Sequence, residues 1–414
     1  MTELYYPFHA LREGHWFKLI CGASFQHLPA VRHLTLAYTL AGADCIDVAA
    51  DPAVIAVAKD ALEVADELGC AARLRGFRYR SRPWLMVSLN DGEDPHFRKA
   101  EFNPDLCPSD CLRPCERICP AQAIVFPKTN EGFSGVVDKR CYGCGRCLPI
   151  CPEQLIYTRS YVAAPEAITE LIVLSGVDAL EIHTKVGNFE DFQRLWKAIA
   201  PWVDRLKLLA ISCPDGDGLL DYLRSLYNLI TPLPCPLVWQ TDGRPMSGDI
   251  GSGATRAAVK LAEKVQRAGL PGYVQLAGGT NNHTVAKLKA AGLLKGWGVG
   301  NGELGVEGLG GLGGLGSSEI VRDTQNYSSP SPYSLPYVAG IAYGSYARVL
   351  LSPILDELEK FNGEAVEANL SSPESLYLGR LEELPDLLWQ AVASADSLVS
   401  QLKLPQKLPQ PIPH

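Results

Sequence analysis

Eight cysteines crowd between Cys107 and Cys151, and no other feature of the chain limits its chemistry as much. The first group reads Cys107-Pro-Ser-Asp-Cys111-Leu-Arg-Pro-Cys115-Glu-Arg-Ile-Cys119-Pro120. The second reads Cys141-Tyr-Gly-Cys144-Gly-Arg-Cys147-Leu-Pro-Ile-Cys151-Pro152. Short, regular gaps in a long chain favour metal over disulfides. Thiolates are soft ligands and suit iron–sulfur clusters. The remaining cysteines are Cys21, Cys45, Cys70, Cys213 and Cys235. They lie mostly in or beside apolar runs and read as buried structural thiols.

The second group follows C-x2-C-x2-C-x3-C-P, the bacterial ferredoxin run. Two-residue gaps let three sulfurs of one loop grip three corners of a cube. The fourth cysteine, followed by proline, ligates the other cluster. Gly143 and Gly145 permit the tight loop. By this cross-over rule Cys119, Cys141, Cys144 and Cys147 hold a [4Fe–4S] cluster. Cys151 then joins the first group, where the gaps are three residues and Cys111 sits one position late. The outer spacing from Cys107 to Cys115 resembles that of seven-iron ferredoxins. It predicts a [3Fe–4S] or oxygen-labile [4Fe–4S] cluster on Cys107, Cys115 and Cys151, with Cys111 free or a labile fourth ligand. Zinc is the alternative, since paired C-x2-C knuckles bind it. Zinc motifs seldom repeat a four-cysteine run ending in Cys-Pro, so clusters are favoured. Two neighbouring clusters make an electron-transfer relay or a redox sensor.

Outside the cassette, apolar runs alternate with helical-period segments. The runs Phe17–Ala23, Cys45–Ala49, Trp84–Leu89, Ala179–His183, Lys207–Cys213, Leu237–Thr241, Tyr273–Ala277 and Tyr337–Tyr343 read as buried strands. Helices are predicted at Pro29–Ala41, Ala53–Leu68, Pro165–Ser175, Phe189–Trp202, Gly218–Ile230, Thr255–Ala268, Thr284–Ala291 and Ser345–Leu358. Apolar strands separated by helices indicate a parallel sheet. Eight such units predict an α/β fold, a TIM-barrel-like (β/α)8 domain with an inserted bacterial two-cluster ferredoxin-like domain. A doubly wound sheet is the alternative topology. The predicted division is barrel at 1–99, cassette at 100–160, barrel at 161–300, flexible Gly/Ser-rich insertion at 301–332, barrel end at 333–400 and Pro-rich tail at 401–414.

A barrel places its site at the C-terminal strand ends. The polar residues there are Ser24, Asp47, Asn90, His183, Lys185, Asp215, Asp242, Asn281, His283 and Ser345. Two glycine turns suit a phosphate: Gly278, Gly279 and Thr280 after strand seven, and Gly344 and Ser345 after strand eight. FMN or another phosphorylated ligand is the candidate occupant. Common strand-to-helix connectors also use Gly-Gly, so each turn alone is weak. Lys185 and His183 raise a Schiff-base or acid–base role, although solvated strand-end residues are the simpler reading.

The formal net charge of −8 argues against nucleic-acid binding, which needs a basic footprint. With 47% hydrophobic residues the chain can build a sizeable core. No signal-peptide pattern and no bilayer-length apolar run stand out, which predicts a soluble, cytoplasmic protein.

The cassette set inside an α/β chain, Phe17-Lys-Leu-Ile-Cys-Gly-Ala-Ser24 and Val274-Gln-Leu-Ala-Gly-Gly-Thr-Asn-Asn282 together resemble the light-dependent period (LdpA) family of cyanobacteria. The resemblance implies a regulatory iron–sulfur protein that senses cellular redox state and reports it to the circadian clock. Clock proteins such as KaiA and CikA are the implied partners. One [3Fe–4S] and one [4Fe–4S] cluster are implied, on the cysteines assigned above, with Cys111 unassigned. Quinone or another redox partner is the reagent to test. The resemblance assigns no catalytic residue. The alternative is an oxidoreductase passing electrons through both clusters to a flavin or other phosphorylated ligand at the barrel mouth. A plain electron carrier ranks last, because the barrel is far larger than the cassette.

Overall fold

The computed structural model describes residues 6–21, 28–92, 98–119, 122–126, 134–137, 141, 146–160, 175–243, 253–295, 336–368 and 379–403. Ser24, Gly143, Cys144, Gly145, the insertion at 301–332 and the tail from 404 lie outside them, as does most of the helix expected at 165–175.

Eight parallel strands close into a ring: β1 (Trp16–Ile20), β2 (Cys45–Ala49), β3 (Trp84–Asn90), β8 (Ala179–His183), β9 (Leu208–Pro214), β10 (Leu237–Asp242), β11 (Tyr273–Ala277) and β12 (Gly340–Tyr343). The order around the ring is β1-β12-β11-β10-β9-β8-β3-β2. The TIM-barrel expectation holds, and ring closure by Trp16 pairing with Gly340 excludes the doubly wound sheet. Alternate residues explain the apolar strands. Phe17, Leu19, Ile46, Val87, Ile182, Ile211, Trp239, Leu276 and Ile341 pack outward into the main core against the helices. The intervening residues face the barrel axis.

The cassette lies between β3 and β8 and forms two antiparallel pairs. β4 (Arg98–Glu101) pairs with β7 (Tyr157–Ser160), and β5 (Ile124–Val125) pairs with β6 (Gly135–Val136). Short helices α4 (Pro114–Ile118) and α5 (Cys147–Ile150) each end at a Cys-Pro cysteine.

Around the barrel stand α2 (Leu28–Ala41), α3 (Pro52–Leu74), α6 (Phe189–Ile199), α7 (Leu219–Ile230), α8 (Thr255–Arg267), α9 (Thr284–Ala290) and α10 (Ser345–Ala368). Asp51 caps α3, its carboxylate accepting from the Ala53 N–H at 2.9 Å, and Pro52 supplies the preset φ of the first turn. The helix runs past its predicted end at Leu68 to Leu74, and within the extension Gly69 admits the Tyr79 ring. A Cβ at Gly69 would lie 2.2 Å from that ring. On this extension Cys70 is exposed, which corrects its reading as a buried thiol. Cys21, Cys45, Cys213 and Cys235 are buried.

Two helices outside the cassette have no counterpart in the sequence reading. α1 (Tyr6–Glu13) closes the barrel floor, packing Ala10 and Leu11 against Trp16, Trp84, Met86, Leu208 and Val238. The α11 helix (Pro385–Val399) covers α2, which is why α2 is buried on nearly every face. Arg78 pairs with Asp396 at 2.6 Å, and Phe77 stacks on Trp389 with ring centroids 5.8 Å apart. No helix among the described residues is long and apolar enough to cross a membrane.

His15 is buried at the floor, and its Nδ1 has no hydrogen-bond partner among the described residues. Burial, then the nearby Lys403 and His9, push its pKa from 6.5 down to about 3. As pH falls below 6.5, the unfolded chain takes a proton that the folded one resists. Stability is therefore lost between pH 6.5 and about 3. His15→Leu is expected to flatten that acid limb in urea denaturation at stepped pH. An unchanged limb would show that His15 does not set it.

Candidate functional site

The two halves of the cassette repeat one local device. After each Cys-Pro cysteine the chain turns back. The Gln122 N–H donates to the Cys119 carbonyl at 3.1 Å, and the Gln154 N–H to the Cys151 carbonyl at 3.2 Å. Both glutamines are left-handed, at φ +48° and +51°. The halves differ in sequence at the first loop. Its longer gap runs through Arg113, also left-handed at φ +52°, and the Arg113 N–H donates to Cys111 Sγ at 3.4 Å. A left-handed non-glycine residue is uncommon, so the Arg113 turn carries a local backbone cost.

Cys107, Cys111, Cys115 and Cys151 are close enough for their charges to act on one another. Burial first, then Cys111, raises the Cys107 pKa, with a smaller push from Cys151 and relief from Arg113. Burial also raises Cys115, with Cys151 and Cys107 adding to it. Thiols that hinder one another's ionisation fit a cationic metal group that takes their protons' place. Cys115, Cys141 and Cys147 share one small core with Ala100, Phe102, Ala123, Ile124 and Ile156, and Cys119 and Cys151 pack against it. Backbone donors face these sulfurs: Ala123 N–H to Cys119 Sγ at 3.2 Å and Ala100 N–H to Cys141 Sγ at 3.4 Å. The donor set and its N–H···S bonds fit iron–sulfur clusters.

The cassette is fixed to the barrel at its root. Lys99 on β4 reaches Asp51 at 2.9 Å, with both side chains buried. The same carboxylate caps α3, so Cys141, β4 and the rim of the barrel mouth meet at one contact. Lys99→Met is expected to destabilise this junction by about 3–5 kcal/mol, because it strands a buried carboxylate. Hydrogen exchange at 98–101 and 157–160 checks it. Unchanged protection there would mean that Lys99 does not anchor the cassette.

The barrel axis carries charge where a packed interior of branched apolar side chains is usual. Lys18 is fully buried and contacts Asp47 at 2.9 Å, Glu181, Gln240 at 3.0 Å and the Met86 sulfur at 3.3 Å. Gln240 donates to Glu181 at 2.6 Å and accepts from Gln275 at 2.6 Å, and Gln275 accepts from Trp16 at 2.7 Å. Ser88 donates to Asp47 at 2.6 Å. At the top, His183 Nε2 lies 3.0 Å from Glu181. Burial works to raise Glu181, but Lys18 and His183 outweigh it and bring its pKa to about 2. Burial opposes protonation of His183, and Glu181 more than offsets it, so the imidazole is raised.

The Asp47 and His183 marked in the sequence belong to this network. The lysine in the barrel is Lys18, and Lys185 is exposed, so no Lys185–His183 pair forms. Asp215 pairs on the surface with Lys264 at 2.6 Å, and His283 is exposed. Sequence reasoning missed Lys18, Glu181, Gln240 and Gln275. Their only signal was a charge or amide inside an otherwise apolar strand.

The glycine turns are adjacent. Thr280 donates its hydroxyl to the Ala342 carbonyl at 2.7 Å, tying the Gly278–Thr280 turn to β12 and so to Gly344 and Ser345. Gly279 has a steric reason of its own. It sits at φ +89°, and a Cβ there would meet the Ala254 carbonyl at 2.7 Å.

The LdpA Fe-S cluster-binding domain matches residues 107–162, and the light dependent period A C-terminal domain matches residues 171–401. A curated protein from Synechococcus elongatus, "Light dependent period A", is 46% identical over 399 residues, covering 96% of this chain and 94% of that protein. Among solved structures, Mycobacterium tuberculosis tryptophan synthase aligns with a TM-score of 0.38 and 10% identity, over 96% of this chain and 97% of that one. A family 20 β-N-acetylglucosaminidase aligns at 0.27 and 10%, over 57% and 55%. Likenesses at that level carry no argument about this site. The cysteine cassette, the barrel around it and the sequence match over nearly the whole length agree, and the chain belongs to the light dependent period A family.

Proposed function

We propose that the protein is an iron–sulfur redox sensor that reports cellular redox state to the circadian clock. The observation that carries this reading is the asymmetry of the cassette. Cys115, Cys141 and Cys147 are buried, whereas Cys107 and Cys111 of the irregular loop, together with Cys119 and Cys151, are partly exposed. Large apolar side chains stand exposed beside them in sequence: Leu106, Leu112, Ile118 and Ile150.

Cys119, Cys141, Cys144 and Cys147 would hold a [4Fe–4S] cluster. Cys107, Cys115 and Cys151 would hold a [3Fe–4S] or labile [4Fe–4S] cluster, with Cys111 as the free or removable ligand. Bound clusters supply reversible one-electron chemistry. The chain's own groups set the surroundings. Ala100 and Ala123 donate N–H bonds to sulfur, Phe102 and Ile124 keep water from the inner set, and Lys99 holds the cassette against the mouth. The stretch around Cys107 and Cys111 can rearrange while Cys115, Cys141 and Cys147 stay packed, and the exposed Leu106, Leu112, Ile118 and Ile150 are where a partner would feel it. KaiA and CikA are the partners that family membership suggests.

Limited proteolysis of cluster-loaded protein, reduced or exposed to oxidised quinone, tests the sensor. New cleavage within 104–119 is expected on oxidation, and identical digests would remove the basis for sensing. EPR of the same samples assigns cluster type: an oxidised three-iron signal is expected, and its absence in every redox state removes the three-iron assignment. The alternative is an oxidoreductase with a flavin at the adjacent mouth turns. Flavin bands in anaerobically purified protein would favour it.

A further inference from the structure

Each cysteine loop of the cassette carries an arginine just before the helix that follows it, and the two arginines are held differently. Arg146, before α5, is right-handed at φ −59° and exposed. Arg113, before α4, is left-handed at φ +52° and half-buried. Its guanidinium lies over the Phe126 ring, 4.2 Å from the ring centroid. A non-glycine residue in the left-handed region persists only where surrounding contacts hold it there. At Arg113 the turn delivers a cation onto an aromatic face, and both ends of that contact are tied down.

The backbone end is tied to sulfur, since the Arg113 N–H donates to Cys111 Sγ at 3.4 Å. The ring end is tied to the cassette core. Phe126 tilts against Phe102 with centroids 5.8 Å apart, and Phe102 shares a core with Cys115. The Phe126 N–H also donates to Glu116 Oε1 at 3.4 Å, which directs that carboxylate to the backbone after β5. The other cation between Cys107 and Phe126 is Arg117. It is exposed, and it donates to the Leu112 carbonyl at 2.8 Å.

Arginine stays charged at any physiological pH, and its planar, weakly hydrated guanidinium stacks on aromatic faces. A charge fixed in a half-buried place acts through less water than one at the surface, so its field is stronger. Arg113 is near enough for that field to reach Cys107. Reducing an iron–sulfur cluster adds one electron and so one negative charge. A cation fixed beside the cluster favours the reduced form, and net charge is among the factors that set cluster potentials.

We propose that Arg113, stacked on Phe126, raises the reduction potential of the cluster on Cys107, Cys115 and Cys151 and so sets the redox state at which the sensor switches. This rests on the cluster reading given above and deepens it by naming the residue that tunes the response. The left-handed turn then has a role: it aims the guanidinium at Phe126, where its counterpart Arg146 stays in solvent.

Potentiometric titration of full-length, cluster-loaded protein with dithionite and redox mediators, followed by EPR, tests the proposal. The unaltered chain is expected to show two midpoints, one for each cluster. Arg113→Gln should lower the midpoint of the cluster on Cys107, Cys115 and Cys151. At a fixed ambient potential its reduced-to-oxidised ratio should fall about tenfold, which is about 59 mV for one electron. Arg113→Lys, which keeps the charge, should shift it less, as should Arg117→Gln. The cluster on Cys119, Cys141, Cys144 and Cys147 should also move less. Arg113→Gly guards against a folding failure, because glycine accepts the left-handed turn and keeps its N–H while the charge is removed. Two midpoints that neither Arg113→Gln nor Arg113→Gly moves, or that shift equally, overturn the proposal and leave the cluster reading intact. A single midpoint in the unaltered chain overturns the two-cluster reading and the proposal with it.

Discussion

Lys18→Met is expected to lower the barrel's unfolding free energy by about 3–5 kcal/mol, the cost of breaking a buried ion pair from one side. The substitution keeps the length of the side chain and removes only its charge. Asp47 and Glu181 would then lie in the barrel without their shared cation. Both carboxyls would titrate higher in the folded state than in the unfolded chain. The folded variant then binds protons more readily, so its deficit shrinks as pH falls. Adding Asp47→Asn and Glu181→Gln should restore most of the loss, since neutral groups leave no charge stranded. Urea denaturation followed by circular dichroism measures this. A deficit below about 1 kcal/mol would mean that hydrated alternatives, and not Lys18, balance the carboxylates.

Removing iron by chelation under reducing conditions is expected to unfold the cassette and leave the barrel standing. The cassette core has eight buried residues among those described, and Cys115, Cys141 and Cys147 are three of them. Without metal, those thiols are small, weakly packing groups crowded against like neighbours. What remains is Ala100, Phe102, Ala123, Ile124 and Ile156, too little apolar area to repay the ordering entropy. The barrel has its own core of strands and helices and does not draw on these residues. Proteolysis should therefore cut between Glu101 and Tyr157 while far-ultraviolet circular dichroism keeps most of its intensity. A chelated cassette that resists protease would show that its core suffices without clusters.

The strands were legible because each is buried on both faces and reads as a short apolar run. All eight fall where the sequence places them, though β1 ends at Ile20 and not at Ala23 among the described residues. The cysteine loops were legible because their spacing is local. The charges in the barrel were not. Lys18 in Trp16–Ile20 and Glu181 in Ala179–His183 each look like an isolated exception within an apolar strand. Only ring closure makes them neighbours across 163 positions of sequence. Lys99 and Asp51 are hidden for the same reason. The helices α1 and α11 were missed because the first lies in a mixed aromatic segment and the second precedes a Pro-rich end.

The antiparallel pairing of β4 with β7 has a consequence for how the molecule is made. Glu101 lies opposite Tyr157 and Arg98 opposite Ser160, so the cassette leaves the barrel and returns at one point. Its last strand is complete at Ser160, whereas the ring closes only when Gly340–Tyr343 docks against β1. On a ribosome, where the chain emerges N-terminus first, every cluster-facing cysteine is available long before the barrel can shut. Iron can be loaded onto a small, open hairpin still tethered to the growing chain, and the barrel can be completed around a finished graft.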